Sequence, residues 1–210
     1  MDNKKITKEA HNAIAQQYYE VYKDDKSDLE YFDEFLSLCG KKILDLGCGM
    51  GHYSNYIHNK GFDVTGIDFS SSMINIAKKN FLNIEFIEND ICNLEILGNR
   101  KFDGVVIAYV LQHLSKEEVL KLFNDLNNNI KSNSKILLFL RQGNSVVNEV
   151  EPMDERYTYV INEYSKNEIT KILQSHGWEI LEMINKTPVD DSNSLAPDTL
   201  VVIAKRKKCK

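Results

Sequence analysis

From Lys41 onward the chain repeats one pattern: a short aliphatic run, a break, then a stretch with apolar residues three and four apart. Residues 43–46, 63–67, 84–87 and 102–108 read as strands. Residues 52–60, closed by Gly61, and the stripe Met73, Ile74, Ala77 read as helices between them. Ser115-Lys116-Glu117-Glu118 has the spacing of a capping box and opens a helix with Val119, Leu120, Phe123 and Leu126 on one face. Residues 135–140 form a fifth strand. A second such box, Ser165-Lys166-Asn167-Glu168, opens a helix ending at His176-Gly177, and residues 178–183 and 200–204 supply two last strands. Alternation of this kind requires a mostly parallel seven-stranded sheet with helices on both faces, because parallel neighbours need a crossover. The last two strands are joined by a loop with Pro188 and Pro197 instead of a helix, so the final strand is expected to return antiparallel.

Ahead of the alternation, Ile6, Ala10, Ala13, Ile14, Tyr18, Val21 and Tyr22 mark one amphipathic helix, and Leu29, Phe32, Phe35 and Leu36 a second, with Gly40 as its expected C-cap. Residues 1–40 are thus expected to be a helical cap on one main domain, 41–210. A length of 210 residues suits a single well-filled core. Residues 141–164 are longer than an ordinary connection and read as a lid-like insert.

The longest apolar run, near residues 136–140, is far short of the ~20 residues of a membrane span. No secretory signal pattern follows Met1, so a cytoplasmic protein is expected. Cys39, Cys48, Cys92 and Cys209 are widely separated, which argues for reduced thiols and against a metal knuckle. A net charge of -5 argues against a nucleic-acid partner, and the basic run Lys205-Arg206-Lys207-Lys208 reads as a solvated end. Spacing says nothing that separates a monomer from a homodimer.

The stretch "DLGCGMG", residues 45–51, places Gly47, Gly49 and Gly51 in the turn after the first strand. That turn lies where ligands bind in open parallel sheets, and a residue without Cβ lets a ligand approach backbone. The dinucleotide fingerprint needs another glycine three positions after Gly49, where His52 stands. An NAD-dependent oxidoreductase is therefore an imperfect fit.

The observed spacing resembles the first motif of class I S-adenosylmethionine-dependent methyltransferases. Asp68 at the end of the second strand, "IENDI" around Asp90 and Ile91, "FDGVVIAYVLQHL", "GWEILEM" and "LVVIAK" are similar to that family's later segments, in its order. The resemblance implies a Rossmann-like α/β fold and S-adenosyl-L-methionine as cofactor. It implies that Asp45 and the backbone of Gly47, Cys48, Gly49 and Gly51 hold the methionine part. Asp68, with Phe69 beside it, would hold the ribose, Asp90 and Ile91 the adenine, and Tyr18 would cover the cofactor. Asp90 as the cap of a turn stays open.

The segment after the fourth strand lacks the Asn/Asp-Pro-Pro-Tyr/Phe of families that methylate DNA bases, which favours a small-molecule acceptor. His113 is the candidate general base, since an imidazole ordinarily titrates near neutral pH; simple packing is the alternative. Tyr109, His113, Arg141, Arg156 and Tyr157 are the acceptor-side candidates, the two arginines as partners of a substrate anion or else as surface ion pairs. A non-catalytic module that binds S-adenosylmethionine is the alternative to an enzyme.

Overall fold

The computed structural model describes residues 3–186 and 198–207. Pro188, Pro197, Lys208 and Cys209 lie outside the described residues. Two helices, α1 (Asn3–Tyr22) and α2 (Leu29–Ser37), precede β1 (Lys42–Leu46), α3 (His52–Asn59), β2 (Asp63–Asp68), α4 (Ser71–Asn80), β3 (Glu85–Glu88) and β4 (Phe102–Ala108). Then come α5 (Lys116–Leu126), β5 (Ile130–Arg141), β6 (Val146–Val150), β7 (Thr158–Asn162), α6 (Lys166–Ser175), β8 (Trp178–Lys186) and β9 (Thr199–Arg206).

The main sheet has seven strands in the order β3-β2-β1-β4-β5-β9-β8. β1 to β5 pair parallel, while β9 runs antiparallel to both β5 and β8, as the missing crossover helix requires. The chain winds outward from β1 to β3, then returns to the other side of β1 with β4. Strand order therefore reverses between β1 and β4, and a crevice opens outside their carboxyl ends.

Alternate residues of the central strands feed two cores. Leu44, Val105, Ile136 and Leu138 face α5, α6 and Trp178, whereas Ile43, Val106, Leu137 and Phe139 face Phe32 and Phe35 of α2, Ile57 of α3 and Ile74 of α4. Both faces being covered explains why these strands are continuously apolar rather than alternating.

Three local expectations need correction. Leu38, not Gly40, caps α2; a Cβ on Gly40 would stand 2.6 Å from the Asp103 carboxyl carbon, so this glycine makes room for that side chain. The box at Ser115 is reciprocal, but at Ser165 only the serine side chain bonds back, because Glu168 pairs with Lys116 at 2.7 Å. β5 begins at Ile130 instead of 135: its polar start reads as loop, yet the Ser134 hydroxyl ties it to the Phe102 carbonyl at 2.8 Å. The insert at 141–164 contains a hairpin, β6 paired antiparallel with β7.

That hairpin braces α1. Tyr159 and Ile161 are buried against Ala10, and Asn3 exchanges two hydrogen bonds with the Val160 backbone, at 3.2 and 2.8 Å. On its other side Asn12 Oδ1 accepts from the Ser70 hydroxyl at 2.8 Å and the Ser72 amide at 3.1 Å. Ile14 and Ala15 pack on Met50 and Met73. These contacts hold α1 across the mouth of the crevice.

Candidate active site

The turn after β1 is stapled to β2 by two amides, Gly47 at 2.7 Å and Cys48 at 3.0 Å from the Ile67 carbonyl. Its glycines do different things. Gly47 has φ +78°, and a Cβ there would stand 2.2 Å from Val110; one on Gly51 would stand 2.7 Å from Phe86. Both positions are closed by the protein itself. Gly49, at φ +53°, has nothing within 4 Å of where its Cβ would be. It is the point at which backbone is open to a ligand.

Around it lies a cleft of about 350 Å³, floored by the ends of β1, β2 and β4 and roofed by α1. Gly47, Cys48, Gly49, Asp68, Phe69, Asp90 and Ile91 all line it, so three strand-end segments far apart in sequence converge. Tyr18 lines it too, 4.5 Å from the ring of Tyr22, and its phenol is pushed up from the usual range mainly by burial.

Asp68 is 8% exposed and receives the Gly49 amide at 2.9 Å on one oxygen and the Ser70 amide at 2.8 Å on the other. Burial raises its pKa, and these amides work in the opposite direction. The Phe69 amide is directed at it as well, and since each carboxylate oxygen accepts two hydrogens the group keeps capacity for a ribose hydroxyl. Asp90 is held by the Cys92 amide at 2.9 Å and Lys4 Nζ at 2.7 Å. Burial works against its charge, but these partners prevail and keep it below the ordinary carboxylate range.

Asp45 departs from its expected place. It does not line the cleft; it sits beneath the loop, 1% exposed, and accepts the Ser54 hydroxyl at 2.6 Å. Burial pushes it up to about 7, so near neutral pH it is partly a neutral acid bracing α3. Gly51 likewise packs behind the loop.

On the acceptor side the corrections are larger. Arg141 is turned to Glu163, at 3.3 Å, and to Glu149. Arg156 is three-quarters exposed and forks onto Asp154 at 2.8 and 2.5 Å. Neither arginine lines the cleft, nor does Tyr157. Each was drawn to a near carboxylate in the acidic insert, the alternative left open above. His113 does line it, ring edge-on to His11 and Tyr159 at 5.6 Å each. Its pKa is lowered to about 3, first by burial and then by His11. A ring so weakly basic is a poor general base at neutral pH; its Nδ1 is buried without a protein partner.

Tyr109 is present, and with it a group of side chains that sequence spacing does not reveal. It takes φ +60°, rare for an aromatic residue, and its hydroxyl donates to Asp28 Oδ2 at 3.1 Å. Tyr53 donates to the same oxygen at 2.6 Å, and Lys186 Nζ reaches Asp28 Oδ1. Asp28 is 2% exposed, a carboxylate with three donors. Asp25, Ser27, His52 and Tyr22 complete this end. His11, whose Nδ1 meets the Thr7 carbonyl at 2.8 Å, was also missed at the opposite end.

The cleft thus carries Asp25, Asp28, Asp68 and Asp90 against Lys4, which is itself paired with Asp90 and Glu118. Such an excess suits a cationic ligand without phosphate. Open backbone at Gly49, capacity for a hydroxyl at Asp68 and the Asp90-Ile91 turn fit the amino-acid end, ribose and adenine of S-adenosylmethionine.

Comparison with known proteins agrees. Residues 43–133 match the family model described as a methyltransferase domain. A putative methyltransferase of Invertebrate iridescent virus 6 is 32% identical over 142 residues, 65% of this chain and 52% of that protein. A ubiquinone biosynthesis O-methyltransferase of Coxiella burnetii is 28% identical over 194 residues, covering 82% of this chain and 79% of that protein. The chain spans 52% and 61% of the lengths of the first two curated relatives it matches. Magnesium protoporphyrin IX methyltransferase from Synechocystis, solved with S-adenosylmethionine bound, has a TM-score of 0.72 at 19% identity over 99% of this chain and 98% of that one. Residues 43–133 match a methyltransferase domain, and the fold is that of the Rossmann-like, S-adenosylmethionine-dependent methyltransferases of known structure.

Proposed function

We propose that this chain transfers the methyl group of S-adenosylmethionine to a small-molecule acceptor, with S-adenosylhomocysteine as the second product. The observation that carries the reading is the pairing of open backbone at Gly49 with the Asp68 carboxylate that its amide orients, at the strand-order reversal of a methyltransferase domain. The cofactor supplies an activated methyl group on a sulfonium. The chain's own residues hold the ligand, align the acceptor with that methyl and exclude water beneath α1.

In this reading Asp68 takes the ribose, the Ile91 amide and Asp90 the adenine edge, Gly47 to Gly49 the amino-acid end, and Tyr18 covers the sulfonium. Residues 1–40 act as a cap on the domain 41–210, with the insert at 141–164 bracing the cap. The acceptor is small because α1 roofs the cleft and leaves no broad trough. Among the described residues no helix is long and apolar enough to cross a membrane. A cytoplasmic enzyme, monomeric or homodimeric, without a nucleic-acid partner, belongs to the same proposal.

Purified chain, S-adenosylmethionine and a deproteinised metabolite extract test it. Release of S-adenosylhomocysteine that depends on the extract is expected. Binding of S-adenosylmethionine without release in any extract would instead indicate the non-catalytic module.

A further inference from the structure

With adenosine placed over β2 and β3, the methyl-bearing end of the ligand faces β4. The cleft wall there is made by Tyr109, Tyr53, Asp28, His52 and Asp25. Its hydrogen-bond polarity is one-sided. The phenolic hydrogens of Tyr53 and Tyr109 are both committed to Asp28, a buried carboxylate that Lys186 also holds. A phenol that donates inward presents lone pairs outward. Tyr109 also receives a hydrogen bond from Thr199, which leaves one lone pair on its oxygen. Asp25 takes the Ser27 amide at 2.9 Å and the Ser27 hydroxyl at 3.2 Å, and as a carboxylate it donates nothing.

Among the described residues the wall offers no cation of its own. Arg141 and Arg156 are engaged outside the cleft, and Lys186 is spent on Asp28. His52 is pushed down to about 4, mainly by burial, so it is neutral at physiological pH, and its Nδ1 is buried without a protein partner. Two features fix the phenols. Tyr53 stacks on Phe32 with centroids 4.5 Å apart, and Tyr109 stands against Phe139 at 5.4 Å, held in the left-handed region. An aromatic residue keeps that backbone conformation only where its surroundings enforce it.

Resting on the methyl-transfer reading, we infer that this wall selects the acceptor by hydrogen-bond polarity: it takes a nucleophile that carries its own hydrogen, an amine or hydroxyl, neutral or cationic, and rejects carboxylate and phosphate acceptors. An N–H or O–H group aimed at the phenolic oxygens is held there; a neutral amine or hydroxyl turns its lone pair to the methyl group, and an amine that arrives protonated does so after losing one proton to water, its remaining N–H still held. An anion at the same point would meet lone pairs and the Asp25 and Asp28 carboxylates, with the single N–H of neutral His52 set against them.

The test is a pair of titrations, read by NMR or calorimetry, of the chain saturated with S-adenosylhomocysteine. Benzylamine and benzoate serve as probes, alike in shape and opposite in polarity. Benzylamine is expected to bind at least about tenfold tighter than benzoate, the scale of one hydrogen bond involving a charged group. The double substitution Tyr53→Phe with Tyr109→Phe keeps both rings and the Asp25 and Asp28 carboxylates, so it should shrink that preference without erasing it, while S-adenosylhomocysteine affinity stays within about twofold. Benzoate binding as tightly as benzylamine, neither probe binding, or a preference unmoved in the double variant would overturn the inference. Failure of S-adenosylhomocysteine to bind at all would count against the cofactor reading instead. As a second readout, an extract split by ion exchange should yield S-adenosylhomocysteine with its cationic or neutral fraction and not with its anionic one.

Discussion

The two ends of the cleft are built by different means. At the end proposed for adenosine the exposed parts are backbone and strand-end carboxylates, Asp68, Asp90 and Ile91, with the open backbone of Gly49 beside them, each within a few residues of a β-strand terminus. At the methyl end they are side chains from three separate elements and the link before α2, gathered on one buried acid, Asp28. The first end lies where strand order reverses, and the chemistry of the second depends on contacts between residues 25 to 158 positions apart.

The sharpest way to break that comparison is within the glycine turn. Gly49→Val places a branched side chain where only ligand should be, so cofactor affinity should drop by two orders of magnitude or more, about 3 kcal/mol, with a native circular-dichroism spectrum. Gly47→Ala drives a Cβ into Val110 and should lower unfolding stability by roughly 2–4 kcal/mol, from overpacking and a left-handed φ together. If denaturant melts rank the two variants the other way, the assignment of one glycine to ligand and the other to packing is wrong.

Asp68→Ala comes next. It removes the ribose partner and frees the Gly49 amide, and calorimetry with S-adenosylhomocysteine should show at least about tenfold weaker binding. An unchanged affinity would remove Asp68 from the adenosine end.

Of comparable size is the acid response of His113. Its folded pKa, about 3, lies below the unfolded value, so the unfolded chain takes up the proton first as pH falls. Stability from this group is complete above pH 6.5 and declines as pH drops from there toward 3. Between pH 7 and pH 5 wild type should therefore lose about 2 kcal/mol more than His113→Phe, in paired urea titrations. Asp45 has the opposite sign: raised to about 7, it favours the folded chain at low pH and loses that advantage as pH climbs from about 4 to 7. For the same reason activity should show no limb near pH 6.5 due to His113.

Smallest of all should be Arg156→Ala. An exposed fork onto Asp154 is worth under ~1 kcal/mol, and the residue is away from the cleft, so stability and turnover should both stay close to wild type. A marked rise in KM for the acceptor would return this arginine to the site.

The same division explains what could be read from the chain. The strands and helices of the sheet were legible because β1, β2, β4 and their crossovers carry long aliphatic periodicity, and the cofactor candidates sat at their ends. Asp45 was misplaced because motif spacing fixes sequence position and not which face of the loop a side chain takes. Arg141 and Arg156 were credited to substrate because composition cannot tell that Glu149, Glu163 and Asp154 would reach them first. The β6–β7 hairpin escaped because five-residue strands with one half-buried face look like polar insert. Its signals, Val147 beside Glu149 and Tyr159 beside Ile161, alternate too briefly to stand out. Asp28 had no local signal at all: its partners are Tyr53, Tyr109 and Lys186, and only the folded sheet brings them together.

The central claim is transfer of a methyl group to something small. Incubating the chain with methyl-labelled S-adenosylmethionine and a whole-cell extract, then separating small molecules from protein and nucleic acid, reads it directly. The account predicts label in the low-molecular-weight fraction, equal in amount to the S-adenosylhomocysteine formed, and none of it when Gly49→Val replaces the wild type. Label confined to protein or nucleic acid, or S-adenosylmethionine bound and never consumed, would contradict it.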